Sequence, residues 1–366
     1  MIRSGWRRLV LSAVFAVVAG VPTHAVIFIG TGDPAHNTTA PTGVLADSGW
    51  QWEGRWNGLM ATAIAPDFFL TAGHVGGATG QSFHFGGRGY VAVASYLSPD
   101  SDLRLWRVAG TLPGFAPRYT GTAELEQGVV VFGAGTQRGA PVVENDQTKG
   151  WLWGPGDGVL RWGTNTVSQV VDATGQPRSA ADPQPGDLLA CTYDAGAGGD
   201  EVTLSGGDSG GGMFLQEAGI WKLAAVNVAV EASFRTTDGG GEFTAALFDR
   251  GGFYEEVAVG QWEPNEELPE NLPAAFFAVR VAGNERWIER VLAGQVPPER
   301  AVTVEASPTL DGPFASELAA RLDAPNARFF VPMTGDARFY RLRSDTALRV
   351  SYFTPMGDGI FLGFAP

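Results

Sequence analysis

The sequence is short of cysteine: Cys191 is the only one. No intramolecular disulfide can form and no cysteine-based zinc site can be assembled, so the fold must rest on its core. Cys191 itself reads as a small buried apolar residue. Charge is also sparse, at 17%, and uneven, with 25 Lys and Arg against 39 Asp and Glu and a formal net charge of −14. Such an acidic surface argues against nucleic acid and anionic membranes as partners. Apolar runs stay short as well. Leu9 to Val21 holds about 13 residues, too few for a membrane span. That run follows Arg3, Arg7 and Arg8 and precedes Thr23-His24-Ala25. This is the form of an export signal over residues 1–25, with Arg7-Arg8 partly matching a twin-arginine leader. The mature chain is expected to be secreted or periplasmic, with no membrane attachment after the signal is removed.

Glycine and proline are plentiful, at 51 and 23 in 366 residues, and 44% of the chain is hydrophobic. With many short runs of Val, Phe and Thr, this composition favours an all-β protein with a sizeable core. Residues 26–57 read as an irregular arm, carrying Trp50, Trp52 and Trp56, packed over a barrel. From Leu59 the pattern tightens into strands: Leu59 to Ile64, a Pro66-Asp67 turn, then Phe68-Phe69-Leu70.

The most informative stretch is Gly207-Asp208-Ser209-Gly210-Gly211, flanked by Gly206 and Gly212. Glycines let backbone N–H groups converge on one point. Such a loop can expose a serine and aim donors at an oxyanion formed when its hydroxyl attacks a carbonyl. A base and an orienting acid must then lie elsewhere. Histidine is scarce, with four in all, and His24 leaves with the signal, so the base is His36, His74 or His84. His84 sits in an alternating strand and His36 in the polar arm. His74, in Thr71-Ala72-Gly73-His74, follows a buried strand, although a structural histidine would look the same. Asp102 opens the alternating strand that begins at Leu103, where it can accept a hydrogen bond from a histidine ring. Asp100 is the rival acid, better suited to a turn.

Taken together, Thr71-Ala72-Gly73-His74, Asp102-Leu103-Arg104-Leu105 and Gly207-Asp208-Ser209-Gly210-Gly211 resemble the trypsin/chymotrypsin-like serine proteases, in a bacterial, disulfide-free form. The resemblance runs over about residues 55–250 and takes in Trp221 to Val226, the strand after the nucleophile loop. It implies two six-stranded antiparallel β-barrels and a catalytic His74, Asp102 and Ser209. It also implies an oxyanion hole from the N–H groups of Gly207 and Ser209. Alignment on the loop puts Thr203 at the base of the primary specificity pocket and Val228 on its wall. No carboxylate stands there, which disfavours Arg or Lys and favours a medium apolar side chain, although Asp200 and Glu201 lie close by. The expected partner is a protein or peptide substrate, and the chemistry needs no metal or cofactor. In the family Asp208 pairs with an N-terminal amine freed by cleavage; here the cleaved chain would start Val26-Ile27-Phe28. The family's usual Ala stands as Gly73 here. The 28-residue gap from His74 to Asp102 is short, implying trimmed loops, and Trp151 to Asp157 reads as a surface insertion.

Residues 26–262 are thus expected to form the protease-like domain and the acidic, proline-bearing stretch 263–274 a linker. Residues 275–366 are expected to form a small β-sandwich-like C-terminal domain, with strands near Phe276–Val281, Val302–Ala306, Arg328–Pro332, Arg338–Arg343 and Leu348–Phe353 and a helix over Pro313–Leu322. Two other functions fit the same sequence: a catalytically silent binding protein of this fold, or a surface-attachment protein acting through the C-terminal module.

Overall fold

The computed structural model describes residues 26–333 and 339–365; the expected export signal lies outside them. Its first unit is a barrel of six antiparallel strands: Glu53–Trp56, Leu59–Ala65, Phe68–Ala72, Ser82–Phe85, Arg88–Leu97 and Leu103–Val108. Arg88–Leu97 pairs with both Ser82–Phe85 and Leu103–Val108, and so closes the ring. Register shifts at Ala92/Ala94 and Ala63/Ala65 supply the bends that closure demands. Inward residues fill the barrel with rings. Trp56 and Trp106 meet at 4.7 Å between centroids, and Phe69 stacks on Phe83 at 4.1 Å.

The second unit is a seven-stranded antiparallel sheet. Its order is Arg161–Thr166, Gly128–Gly133, Gly212–Glu217, Ile220–Val230, Ala275–Arg280, Leu188–Thr192 and Gln169–Val171. It curls into a half-barrel, and Asn165 Nδ2 spans the gap by donating to the carbonyls of Thr192 and Val202. The protein is thus mostly β, with a closed six-stranded barrel beside a half-barrel. No helix among the described residues is long and apolar enough to cross a membrane.

Three features differ from the sequence-based expectation. Ala275–Arg280, assigned above to the C-terminal domain, is a central strand of the second sheet, paired with Ile220–Val230 and Leu188–Thr192. The helix Val281–Leu292 follows it and buries Val281, Ile288 and Val291 in the main core. The boundary at 274/275 therefore falls inside a sheet, and the C-terminal module begins beyond the helix. Second, the supposed linker is not an open connector. Gln261–Pro264 is a strand of an extra six-stranded sheet, built from Gln261–Pro264, Tyr254–Ala258, Ser233–Arg235, Glu242–Leu247, Gln147–Gly156 and Thr136–Glu144. Trp151 to Gly156 belong to this sheet as well. Third, Pro313–Leu322 is not helical. Ala315–Ser316 and the start of Arg321–Asp323 pair as short strands instead, because edges of neighbouring sheets offer partners while a ten-residue helix is marginal by itself.

The C-terminal module holds a three-stranded and a four-stranded sheet. Its apolar face, with Val302, Val304, Phe329, Val331, Ile360, Leu362 and Phe364, shares one cluster with Val91, Val93 and Ala109 of the first barrel.

Candidate active site

His74 sits on the 3-10 turn Gly73–Val75, directly after the buried strand Phe68–Ala72. Asp102 immediately precedes Leu103–Val108, which pairs with Phe68–Ala72, so strand pairing brings the two together. The Gly73 N–H donates to the Asp102 carbonyl at 3.0 Å and the His74 N–H to Asp102 Oδ1 at 2.8 Å. A Cβ on Gly73 would lie 2.7 Å from Oδ1, which accounts for glycine at this position. The His74 ring meets Asp102 Oδ2 through Nδ1 at 2.5 Å. An ionised carboxylate only accepts, so Nδ1 carries the proton and Nε2 is left to accept. Nε2 lies 2.8 Å from Ser209 Oγ, whose hydroxyl is the donor.

Ser209 arrives from the other barrel, on the loop before Gly212–Glu217. Gly207 and Gly210 have φ of 102° and 82°, conformations that side chains rarely adopt. At Gly210 a Cβ would also stand 2.2 Å from the Met60 carbonyl oxygen. The Gly210 N–H donates to the Asn227 carbonyl, while Asn227 Nδ2 donates to the Phe132 and Asp208 carbonyls. These bonds are spent on holding the loop. Among the described residues the N–H groups of Gly207 and Ser209 have no acceptor.

Two buried carboxylates stand behind the loop. Asp208 Oδ2 accepts from the Ser205 N–H and hydroxyl, and Oδ1 from the Gly135 N–H. Burial nevertheless pushes it up to about 7, against the pull of those hydrogen bonds. Glu53 Oε1 accepts from the Gly212 N–H and the Thr62 hydroxyl, tying the two barrels together, and burial raises it to about 8. Neither Glu53 nor Asn227 was singled out in the sequence, where nothing marks them. Both act on backbone groups far away along the chain.

The other candidates lie apart from this chain of bonds. His36 Nε2 is 2.7 Å from Asp200 Oδ1 in the N-terminal arm, and His84 is exposed on Ser82–Phe85 opposite Arg55. Asp100 is exposed in the turn before Asp102 and takes its backbone bond to Ser98 Oγ. Thr203 is buried in a two-residue strand facing Ile27, with no partner for its hydroxyl among the described residues. Val228 is half-buried beside Asn227. Trp153 of the extra sheet reaches the glycine-rich loop, its ring 3.1 Å from where a Cβ on Gly206 would lie. Among the described residues no group of three His, Cys, Asp or Glu side chains could hold a metal ion.

No protein-family model matches the chain, and no curated protein matches it. Among solved structures it is similar to the scabies mite inactivated protease paralogue S-D1, at 14% identity and a TM-score of 0.35, covering 66% of this chain and 89% of that one. It is also similar to a mutant of human heparin binding protein, CAP37, at 15% identity and a TM-score of 0.38, covering 68% of this chain and 94% of that one.

Proposed function

We propose that this protein is an exported serine endopeptidase. One observation carries the reading: an unbroken run of hydrogen bonds from Asp102 Oδ2 through His74 to Ser209 Oγ, spanning the two barrels. In the proposed reaction Ser209 Oγ attacks the peptide carbonyl while His74 Nε2 takes its proton. Asp102 keeps the ring in the tautomer that can do so and stabilises its cation. The free N–H groups of Gly207 and Ser209 receive the oxyanion, an effect typically worth about 3–4 kcal/mol per donor. His74 then returns the proton to the leaving amine, and water, activated by the same ring, clears the acyl group from Ser209.

Export follows from the leader-like first 25 residues. Its removal would also expose the Val26 amine. The Val26 side chain and the Asp208 carboxylate border the same spot beside Gly133, so the new amine would start close to a buried acid with no cation in direct contact among the described residues.

The test is reaction of the mature protein, starting at Val26, with a fluorophosphonate, read by intact mass and peptide mapping. One adduct on Ser209, absent in His74→Ala, is expected. An unreacted protein, alike with and without residues in front of Val26, would overturn the reading and leave a silent binder.

A further inference from the structure

Five residues after His74 lies Thr79, buried in the run Gly76-Gly77-Ala78-Thr79-Gly80. Gly76, Gly77 and Gly80 all have positive φ, at 64°, 115° and 89°. A segment so rich in glycine has much conformational freedom to lose. One side of it is held by the barrel: Trp56 Nε1 donates to the Gly76 carbonyl at 2.9 Å and Asn57 Nδ2 to the Val75 carbonyl at 2.7 Å.

The other side is held by residues more than 220 positions away. The Thr79 N–H donates to Asp345 Oδ2 at 3.0 Å, and the Asp345 N–H donates back to Thr79 Oγ1 at 2.9 Å. The Thr79 carbonyl accepts from both the N–H and the hydroxyl of Thr346, each at 2.9 Å. Arg300 Nη1 donates to the Gly77 carbonyl at 3.1 Å and lies 3.8 Å from Asp345 Oδ2. Every polar group of Thr79 is thus satisfied by the C-terminal module. Without it, a buried N–H and C=O in the His74 segment would lose their partners.

The module is attached at other points as well. Arg300–Ala301 pairs with Ser95 and Ala94, Glu299 pairs with the buried Arg104, and the apolar cluster with Val91, Val93 and Ala109 is separate from the clamp. Docking thus rests on several contacts besides the bonds to Thr79.

We propose that the C-terminal module braces the segment carrying His74, with Asp345 and Thr346 as positioning residues for the hydrolysis. The inference rests on the proposed peptidase function. It makes the module part of the working enzyme.

The experiment uses the full mature chain and compares Asp345→Ala combined with Thr346→Ala, the conservative Asp345→Asn, and Glu305→Gln. In Asp345→Asn the amide oxygen can still accept from Thr79. Glu305 binds Arg341 and Arg343 within the module, away from the clamp. Peptide hydrolysis, the rate of fluorophosphonate labelling and hydrogen exchange are measured on each. The double variant is expected to lose about ten- to a hundredfold in kcat, with KM changed less than about twofold. Its amides over residues 75–81 should exchange faster, and Asp345→Asn should restore most of the rate. Unchanged kcat with unchanged exchange over 75–81 would overturn the brace. So would an equal loss of kcat in Glu305→Gln, since that would trace the effect to the module's general stability. If the unsubstituted protein is never labelled at Ser209, the peptidase reading falls alone, and exchange over 75–81 still decides the brace.

Discussion

At the residue scale, the candidate groups are held in one line, Asp102 to His74 to Ser209, by hydrogen bonds. Asp102 uses one oxygen on the His74 backbone and the other on its ring. Asp102→Asn would present an N–H where the ring needs an acceptor, and should lower kcat about 10⁴-fold, the magnitude known for this kind of triad. Asp100→Asn should stay near the unsubstituted rate, and a peptidase assay on the pair checks both. Asn227→Ala removes the donor to the Phe132 and Asp208 carbonyls. It should cost about 1–3 kcal/mol by denaturant unfolding. His74, Asp102 and Ser209 were picked out by the resemblance of their three motifs taken together, since the local setting of each left alternatives open. Asn227 and Glu53 were not, since their partners Phe132 and Gly212 lie 95 and 159 residues away.

At the scale of elements, the strand Ala275–Arg280 is the piece whose place a linear reading missed. Its six residues are buried and mostly apolar, as any inner strand would be. Nothing in the periodicity says which sheet receives it. It ends at Arg280, whose fully buried guanidinium donates to both oxygens of the equally buried Glu124 at 2.6 and 2.7 Å. Ending the chain at residue 274 should therefore yield insoluble protein, because it removes a strand with neighbours on both sides; expression and solubility assays check this. Glu124→Ala, which leaves a buried cation without its main partner, should cost about 3–5 kcal/mol in a denaturation measurement.

At the scale of the whole molecule, the buried acids set how stability depends on pH. Burial raises Glu53 and Glu201 to about 8 and Asp208 and Glu231 to about 7. An acid raised in the folded state binds protons there that the unfolded chain has already released. Stability should thus fall as pH climbs from about 4.5 to about 8, and then level off. Each such group contributes on the order of 1 kcal/mol per pH unit across its own window. Glu53→Gln keeps an oxygen for Gly212 and Thr62 but cannot ionise, so it should flatten the slope and raise the melting temperature at pH 8. Thermal melts from pH 5 to 8 on the two proteins check the sign.

The sequence by itself determined the all-β class, the core without disulfides, and the residue types of the candidate site, because composition, alternation and glycine-rich loops are local properties. Only the tertiary structure decided which sheet takes Ala275–Arg280, and that 263–274 returns from an extra sheet rather than linking domains. It alone decided that the C-terminal module grips the segment behind His74. Hydrogen bonds such as Thr79 to Asp345 close across 266 residues. Pairings of that span depend on how whole sheets pack, and no local pattern in the chain encodes them.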